Sequence, residues 1–393
     1  MILLSARISR ICALLGAFLL AQVAVAMVKP THATEADTRP KVIIDQDAAG
    51  PAGTDIQSIL MLMQDKDVDL LGITVMTGDA WRDEEVSHAL RMLEIAHRTD
   101  IPVLPGAVFP LLNGRRRTLA WEKLYGSLFY DGAYMSRWPS ESTVDWTPLH
   151  PTRPFWVPPL PEGEPTTHAS NESAVSFLLR MVHTYPHEVT IIAAGPMTDL
   201  ALASKLDPQF AALAGQLVFM GGSFNPVPAD TPFAQEYDNN PRQEFNMRFD
   251  PEAASIVLQQ PWRRIIEVPV DPTSPTLMSH ALLGEVARGK APFDRYLGRF
   301  GQVYPLWDET AVAVWLDPSL VTREKTLLVD VDTSFTANYG ATLSWPVGAG
   351  PGLGERPVEV VFSVDVPRLN RLVVRLLTAA EPIALPGTKA PTH

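Results

Sequence analysis

The chain has 393 residues, 46% of them hydrophobic, with 44 acidic side chains against 32 basic ones and a formal net charge of −12. That length and apolar content suffice for one large α/β unit, and the charge argues against nucleic acid and anionic membranes as partners and for small ligands. The only cysteine, Cys12, lies near the N-terminus, so the remaining chain has no disulfide and no thiol chemistry.

Arg7 and Arg10, an apolar run over residues 11–25 and the small residues Ala24-Val25-Ala26 match the three regions of a secretory signal. An exported protein, periplasmic or extracellular, is expected: a signal peptide over 1–26, a linker over 27–40, one domain over 41–380 and a disordered tail over 381–393. The run is short for a membrane span, and no other segment reaches roughly eighteen apolar residues.

From Lys41 onward strand and helix patterns alternate. "KVIID" and "DLLGITVMT" read as strands, and "DEEVSHALRMLEIAHR" as a helix with Val86, Leu90, Leu93 and His97 at helical spacing behind an acidic first turn. His88 and His97 read as solvated positions on that helix. "NESAVSFLLRMVHTY" is predicted as a helix capped by Asn171, followed by the strand "EVTIIAAG", the helix "MTDLALASKL", the strand "QLVFMGG", the helix "DPEAASIVLQQ" and the strand "RRIIEVPVD". The alternation predicts a mostly parallel sheet with helices on both faces, whose ligands bind outside the carboxyl ends of the strands. Two segments break it. Residues 105–165 hold ten prolines and Trp121, Trp138, Trp146 and Trp156, and residues 223–243 are similarly irregular; both are candidate lids.

The stretch "KVIIDQDAAGPAGTD" sends a strand into Asp45 and Asp47 and reaches Asp55 after a loop of small residues, while Asp308 waits far away in "YPLWDETAVAVWLDP". Carboxylates crowded at a strand end repel one another and persist where a cation, a proton or a polar substrate sits between them. Oxygen donors suit a hard cation such as calcium, and no cysteine or histidine cluster suggests zinc. Asp-x-Asp after a first strand also occurs in phosphatases of the haloacid dehalogenase type, for which "DVDTS" near 330 would be the later acidic pair.

"AAGPMTDLALASKLDP", "VFMGGSF", "EFNMRFDPEAA" and "WDETAVAVWLDP" come in an order that resembles the inosine-uridine nucleoside hydrolase family, over residues 41 to about 375. The resemblance implies a calcium ion held by Asp47, Asp55, the carbonyl of Ala194 and Asp308, with Asp47 as the general base for the attacking water and Asp308 beside it at the reacting centre. It further implies that Glu244, Asn246 and an upstream asparagine, Asn239 or Asn240, hold ribose hydroxyls, with Met220 of the Met-Gly-Gly strand end against the sugar. Pyrimidine-tolerant members carry a histidine before the calcium aspartate; this chain has Trp307, as purine-specific members do, and Asp79 where those members face the base. Trp121 or Trp81 is expected to cover the second face of the base. A homo-oligomer acting on purine nucleosides follows from the same resemblance.

The first motif departs from the family. Its loop is longer, the first aspartate of the usual pair is Thr54, an alternative register places Gln57 near the second aspartate, and Asp199 replaces an asparagine. Two other readings therefore stand beside the hydrolase: a catalytically weak nucleoside- or ribose-binding protein, and the Asp-x-Asp phosphatase.

Overall fold

The structure, a computed structural model, describes residues 37–136, 150–226 and 236–385, apart from the side chains of Asp238 and Asn239. The expected signal, most of the linker, Trp138, Trp146 and the end of the tail lie outside the described residues. Among those described, no helix is long and apolar enough to cross a membrane.

Strand β1 (Lys41–Gln46) shows how the sequence builds the layers. Its side chains alternate across the sheet, so Val42 and Ile44 enter one apolar cluster and Ile43 the other. The strands that follow are β2 (Asp69–Val75), β3 (Val103–Pro105), β4 (Val189–Ala193), β5 (Gln216–Met220), β6 (Ile265–Val268), β7 (Val321–Val331), β8 (Thr342–Pro346) and β9 (Pro357–Val364). They form one sheet in the order β3-β2-β1-β4-β5-β6-β9-β7-β8. Every pairing from β3 to β9 is parallel, and β7 runs antiparallel to both of its neighbours.

Helices α1 (Thr54–Gln64), α2 (Arg82–Ile95), α6 (Trp307–Leu316) and α7 (Val366–Leu377) contribute to the cluster on one face. Helices α3 (Ala174–Thr184), α4 (Thr198–Leu206) and α5 (Pro251–Leu258) contribute to the other. All eleven residues of α1 are buried, because this helix lies under α6 and α7 as well as on the sheet. In α7, Leu369, Val373, Leu376 and Leu377 recur at helical spacing and are buried, and each such side chain contributes about 1.5–3 kcal/mol.

The expected α/β architecture is present, with local corrections. The cap of α3 is Ser173, whose hydroxyl accepts from Ser176 N–H at 3.2 Å, and not Asn171. Helix α2 stops at Ile95, so His97 lies beyond it, exposed, with φ of 55°. The expected tail is paired at its start: Ile383 N–H donates to the Gln64 carbonyl at 2.8 Å. The first irregular segment contains a helix over Arg115–Tyr125 and an aromatic cluster that joins Trp81, Tyr134 and Phe249.

Candidate active site

After β1 the chain builds outward to β2 and β3 and then crosses to β4 on the other side of β1. Outside the carboxyl ends of two strands whose connections diverge there is room for a ligand, and Asp45–Asp47 and Ala194 stand at that point. A cleft enclosing about 830 Å³, its open mouth included, lies there. Asp47, Asp55, Asp79, Asp308 and Glu244 all line it.

Each acid arrives on a different element. Asp47 follows β1, and the backbone N–H of Asp79, after β2, donates to its Oδ2 at 3.1 Å. A Cβ on Gly78 would stand 2.0 Å from that oxygen, so only glycine lets the β2 loop close on Asp47. Asp55 and Asp308 sit in the first turns of α1 and α6, where helix termini favour negative charge. They are in hydrogen-bond contact with each other, and Gln46 Nε2 donates to Asp308 Oδ2 at 2.9 Å.

Burial, then the neighbouring Asp79, Glu85 and Asp308, push Asp47 well above the usual carboxylate range. Burial, Asp79, Asp308 and Asp47 do the same to Asp55, and burial lifts Asp308 to about 6 despite the hydrogen bonds from Asp55 and Gln46. Two buried carboxyls in contact share a proton or a cation. Three carboxylates and the Ala194 carbonyl are an all-oxygen donor set, which fits a hard divalent cation. Among the described residues no three His, Cys, Asp or Glu side chains are preassembled around one point as a metal site, so the fit is one of chemistry rather than of finished coordination.

Glu244 caps the short helix Phe245–Phe249, accepting from Asn246 and Met247 N–H groups, and it also accepts from Gly222 N–H at 3.0 Å. Burial holds it at about 7 against those three donors. Asn246 Nδ2 donates to the Met220 carbonyl at 3.2 Å and to the Ala194 carbonyl at 3.5 Å, so this segment ties β4 and β5 together at the cleft floor. Met220 and Ala194 line the cleft with them.

Trp307 lines the cleft, its ring parallel to that of Tyr304 at 6.4 Å. Trp81 and Trp121 do not line it, which corrects the expectation that one of them covers the base. The Trp81 indole N–H donates to the His150 carbonyl within the aromatic cluster, and that of Trp121 donates to the Thr336 carbonyl at 2.7 Å. Asn240 is likewise absent from the lining; its carbonyl accepts from Gln243 N–H at 3.0 Å, and the side chain of Asn239 lies outside the described residues.

Thr54 takes up the departure in the first motif. Its hydroxyl donates to Glu309 Oε2 at 2.5 Å and accepts from Asp308 N–H at 3.1 Å, locking the start of α1 to α6. Gln57 lies behind the loop, donating to the Ala52 carbonyl at 2.9 Å. Asp199 lies away from the lining and accepts from Ala107 N–H at 2.8 Å.

Cleft residues that escape sequence reasoning include three from the irregular segments. Tyr130, from the first irregular segment, is hydrogen-bonded to Asp79 and packs edge-on against Phe245 at 5.0 Å. Glu236 and Tyr237, from the second, also line the cleft. Their only sequence signal was a position in segments too long to be plain connections. The phosphatase reading loses its later acidic pair. Asp330 accepts from Gln259 Nε2, Asp332 caps a turn at Ser334, and neither lines the cleft.

The family model of the inosine-uridine preferring nucleoside hydrolases matches residues 42–371. A probable uridine nucleosidase 2 of Arabidopsis thaliana is 29% identical over 86% of this chain and 97% of its own. Among solved structures, a plant nucleoside hydrolase aligns with a TM-score of 0.65 at 25% identity, covering 86% of this chain and 99% of its own. A purine-preferring ribonucleoside hydrolase from Gardnerella vaginalis shares the fold, with a TM-score of 0.62 at 22% identity over 86% of this chain and 98% of its own. With the acidic cleft at the switch point of the sheet and a match over most of its length, the chain belongs to the inosine-uridine preferring nucleoside hydrolase family, enzymes that cleave N-ribosyl bonds.

Proposed function

We propose that this enzyme hydrolyses purine ribonucleosides to free base and ribose with calcium as its cofactor. The observation that carries the purine reading is the cleft lining itself, which brings Trp307 and Asp79 together with Asp47, Asp55 and Asp308 and includes no histidine among the described residues. Held by Asp47, Asp55, Asp308 and the Ala194 carbonyl, calcium would supply the Lewis acidity that makes a water nucleophilic and a grip on vicinal hydroxyls.

Asp47 takes the proton of the water whose oxygen bonds to the anomeric carbon. The carbon–nitrogen bond breaks, its electron pair leaves with the base, which takes up one proton to become the free base and so balances the one that Asp47 accepts from water, and positive charge develops on the sugar. Buried carboxylates stabilise that charge because it forms among fixed negative groups. Glu244 and Asn246 frame the sugar end of the cleft. Trp307 stacks on the leaving purine, and Asp79 hydrogen-bonds its edge.

Relatives named as uridine nucleosidases favour a second reading, pyrimidine ribonucleosides. Base release from inosine, guanosine, adenosine and uridine, with calcium and after chelation, decides between them. Calcium-dependent turnover of purines over uridine is expected. Preference for uridine overturns the purine reading, and binding without release identifies a nucleoside-binding homologue. The 1–26 segment supports export, which N-terminal sequencing of the mature chain checks.

A further inference from the structure

His88, expected at a solvated helix position, is fully buried, as is the side chain of the acid it touches, and neither has a part in the chemistry above. His88 Nδ1 lies 2.5 Å from Glu162 Oε1, and each side chain is 1% exposed. Glu162 comes from the irregular segment after residue 150, and its backbone carbonyl accepts from Arg91 Nε at 3.1 Å. Glu84, one turn before His88 on α2, is buried beside them. Burying an imidazole and two carboxyls costs folding free energy, so the arrangement calls for a reason beyond stability.

What the imidazole touches is the 48–53 loop. A Cβ on Gly50 would stand 2.4 Å from His88 Nδ1 and 2.5 Å from its Cγ, so the loop backbone lies directly on the ring. Two residues on, Ala52 is held at φ of 60°, a conformation that alanine keeps only where its surroundings enforce it. Its N–H donates to Tyr296 Oη at 2.8 Å, and its carbonyl accepts from Tyr304 Oη at 2.8 Å. Gly50, Pro51 and Gly53 line the cleft, and the loop ends at Thr54 and Asp55.

We propose that the His88–Glu162 pair is a positioning device for the reaction: Glu162 fixes the imidazole, the imidazole fixes Gly50, and the loop so held forms the cleft wall that leads into Asp55. The tyrosines fasten the Ala52 end and the histidine supports the Gly50 end. Neither His88 nor Glu162 lines the cleft, so both act through the loop. The pair thereby joins α2, the segment after residue 150 and the substrate wall into one unit.

Steady-state kinetics of the full chain on inosine and uridine, read beside melting curves, test this. His88→Ala and Glu162→Ala are each expected to lower kcat/KM about tenfold or more, chiefly through KM, and the double variant to lose no more than either single one. Glu162→Gln, whose amide oxygen still accepts from the ring, should restore kcat/KM to within about threefold of the parent. Glu94→Ala loosens the same segment without touching the loop and should lower the melting temperature while KM stays within about twofold. Alanine variants at 88 and 162 that melt earlier yet keep kcat and KM within about twofold overturn the proposal, as does an equal rise in KM from Glu94→Ala. Should those alanine variants fail to fold, Glu162→Asp, which draws the carboxyl back from the ring, is read the same way, and an unchanged KM overturns the idea.

Discussion

Asp47 and Trp307 carry separable parts of the proposed chemistry. Asp47 is buried, receives the Asp79 backbone N–H at 3.1 Å and neighbours both Asp308 and Asp55. Asp47→Ala removes a general base and a cation ligand together, so kcat should fall by about 10²–10⁴-fold or more in an initial-rate assay. A fall of less than about tenfold would assign the base to another residue. Trp307 presents an indole at the cleft over the turn that carries Asp308. Stacking a departing, partly protonated base on that ring is worth about 1–2 kcal/mol, which corresponds to roughly 5–30-fold in kcat/KM. Trp307→Ala should therefore lower kcat/KM for inosine by that factor and for uridine by less. A change below about twofold for both substrates would leave the leaving group without its proposed partner.

The cleft is assembled from strand ends and helix starts, and these were the most legible elements. Buried parallel strands such as β4 and β5 read as unbroken apolar runs, and the acids at the end of β1 stand beside the glycines and proline of residues 50–53 that mark the turn into a helix. Asp47 and Asp55 are legible that way, whereas Glu244 and the role of Asp308 rest on the order of motifs that resembles the family. Tyr130, Glu236 and Tyr237 are not legible, because tertiary packing alone brings an irregular segment to the cleft, and no periodicity records it. The burial of His88 is illegible for a related reason: its partner Glu162 lies 74 residues away, and the pattern of a helix does not show which polar side chain meets a distant partner. The same distant segment is tied to α2 by Glu94, whose Oε1 accepts from the backbone N–H of Thr166 at 2.6 Å and of Thr167 at 2.7 Å. Burial pushes the Glu94 carboxyl up, but the hydrogen bonds from Thr167, Thr166 and Arg91 outweigh it and hold the group at about 2. Its folded proton affinity is depressed, so its contribution is present above the unfolded value near 4.5 and is lost as pH falls toward 2. Glu94→Ala should cost about 1–3 kcal/mol in denaturant unfolding at pH 7, and the gap between variant and parent should close below about pH 3. A gap that persists unchanged at pH 2 would show that packing, not the charged hydrogen bonds, accounts for the loss.

For the molecule as a whole the dominant electrostatic fact is the acid crowded at one end of the sheet. Burial pushes Asp79 and Glu244 to about 7 and Asp308 to about 6, and at Asp79, Asp47 and Asp55 the repulsion of neighbouring carboxylates adds to it, the last two being pushed well upward. A carboxyl whose affinity for a proton is higher folded than unfolded stabilises the fold fully below its unfolded value near 4, and that contribution is lost as pH rises through the folded value. Each tenfold change in proton affinity is worth about 1.4 kcal/mol, so several such groups together are large beside a net stability of about 5–15 kcal/mol. The Glu94 effect has the opposite sign, but its window ends near 4.5 and does not overlap. Chelated protein should therefore lose melting temperature steadily from about pH 5.5 to pH 8. A divalent cation binds the ionised carboxylates, so the stabilisation it gives should grow over the same interval as protons cease to compete. Differential scanning calorimetry across that range, with chelator and with calcium, checks both slopes. A chelated protein whose melting temperature rises toward pH 8 would show that the cleft acids are ionised and solvated in the fold, and a calcium effect independent of pH would place the ion away from Asp47, Asp55 and Asp308.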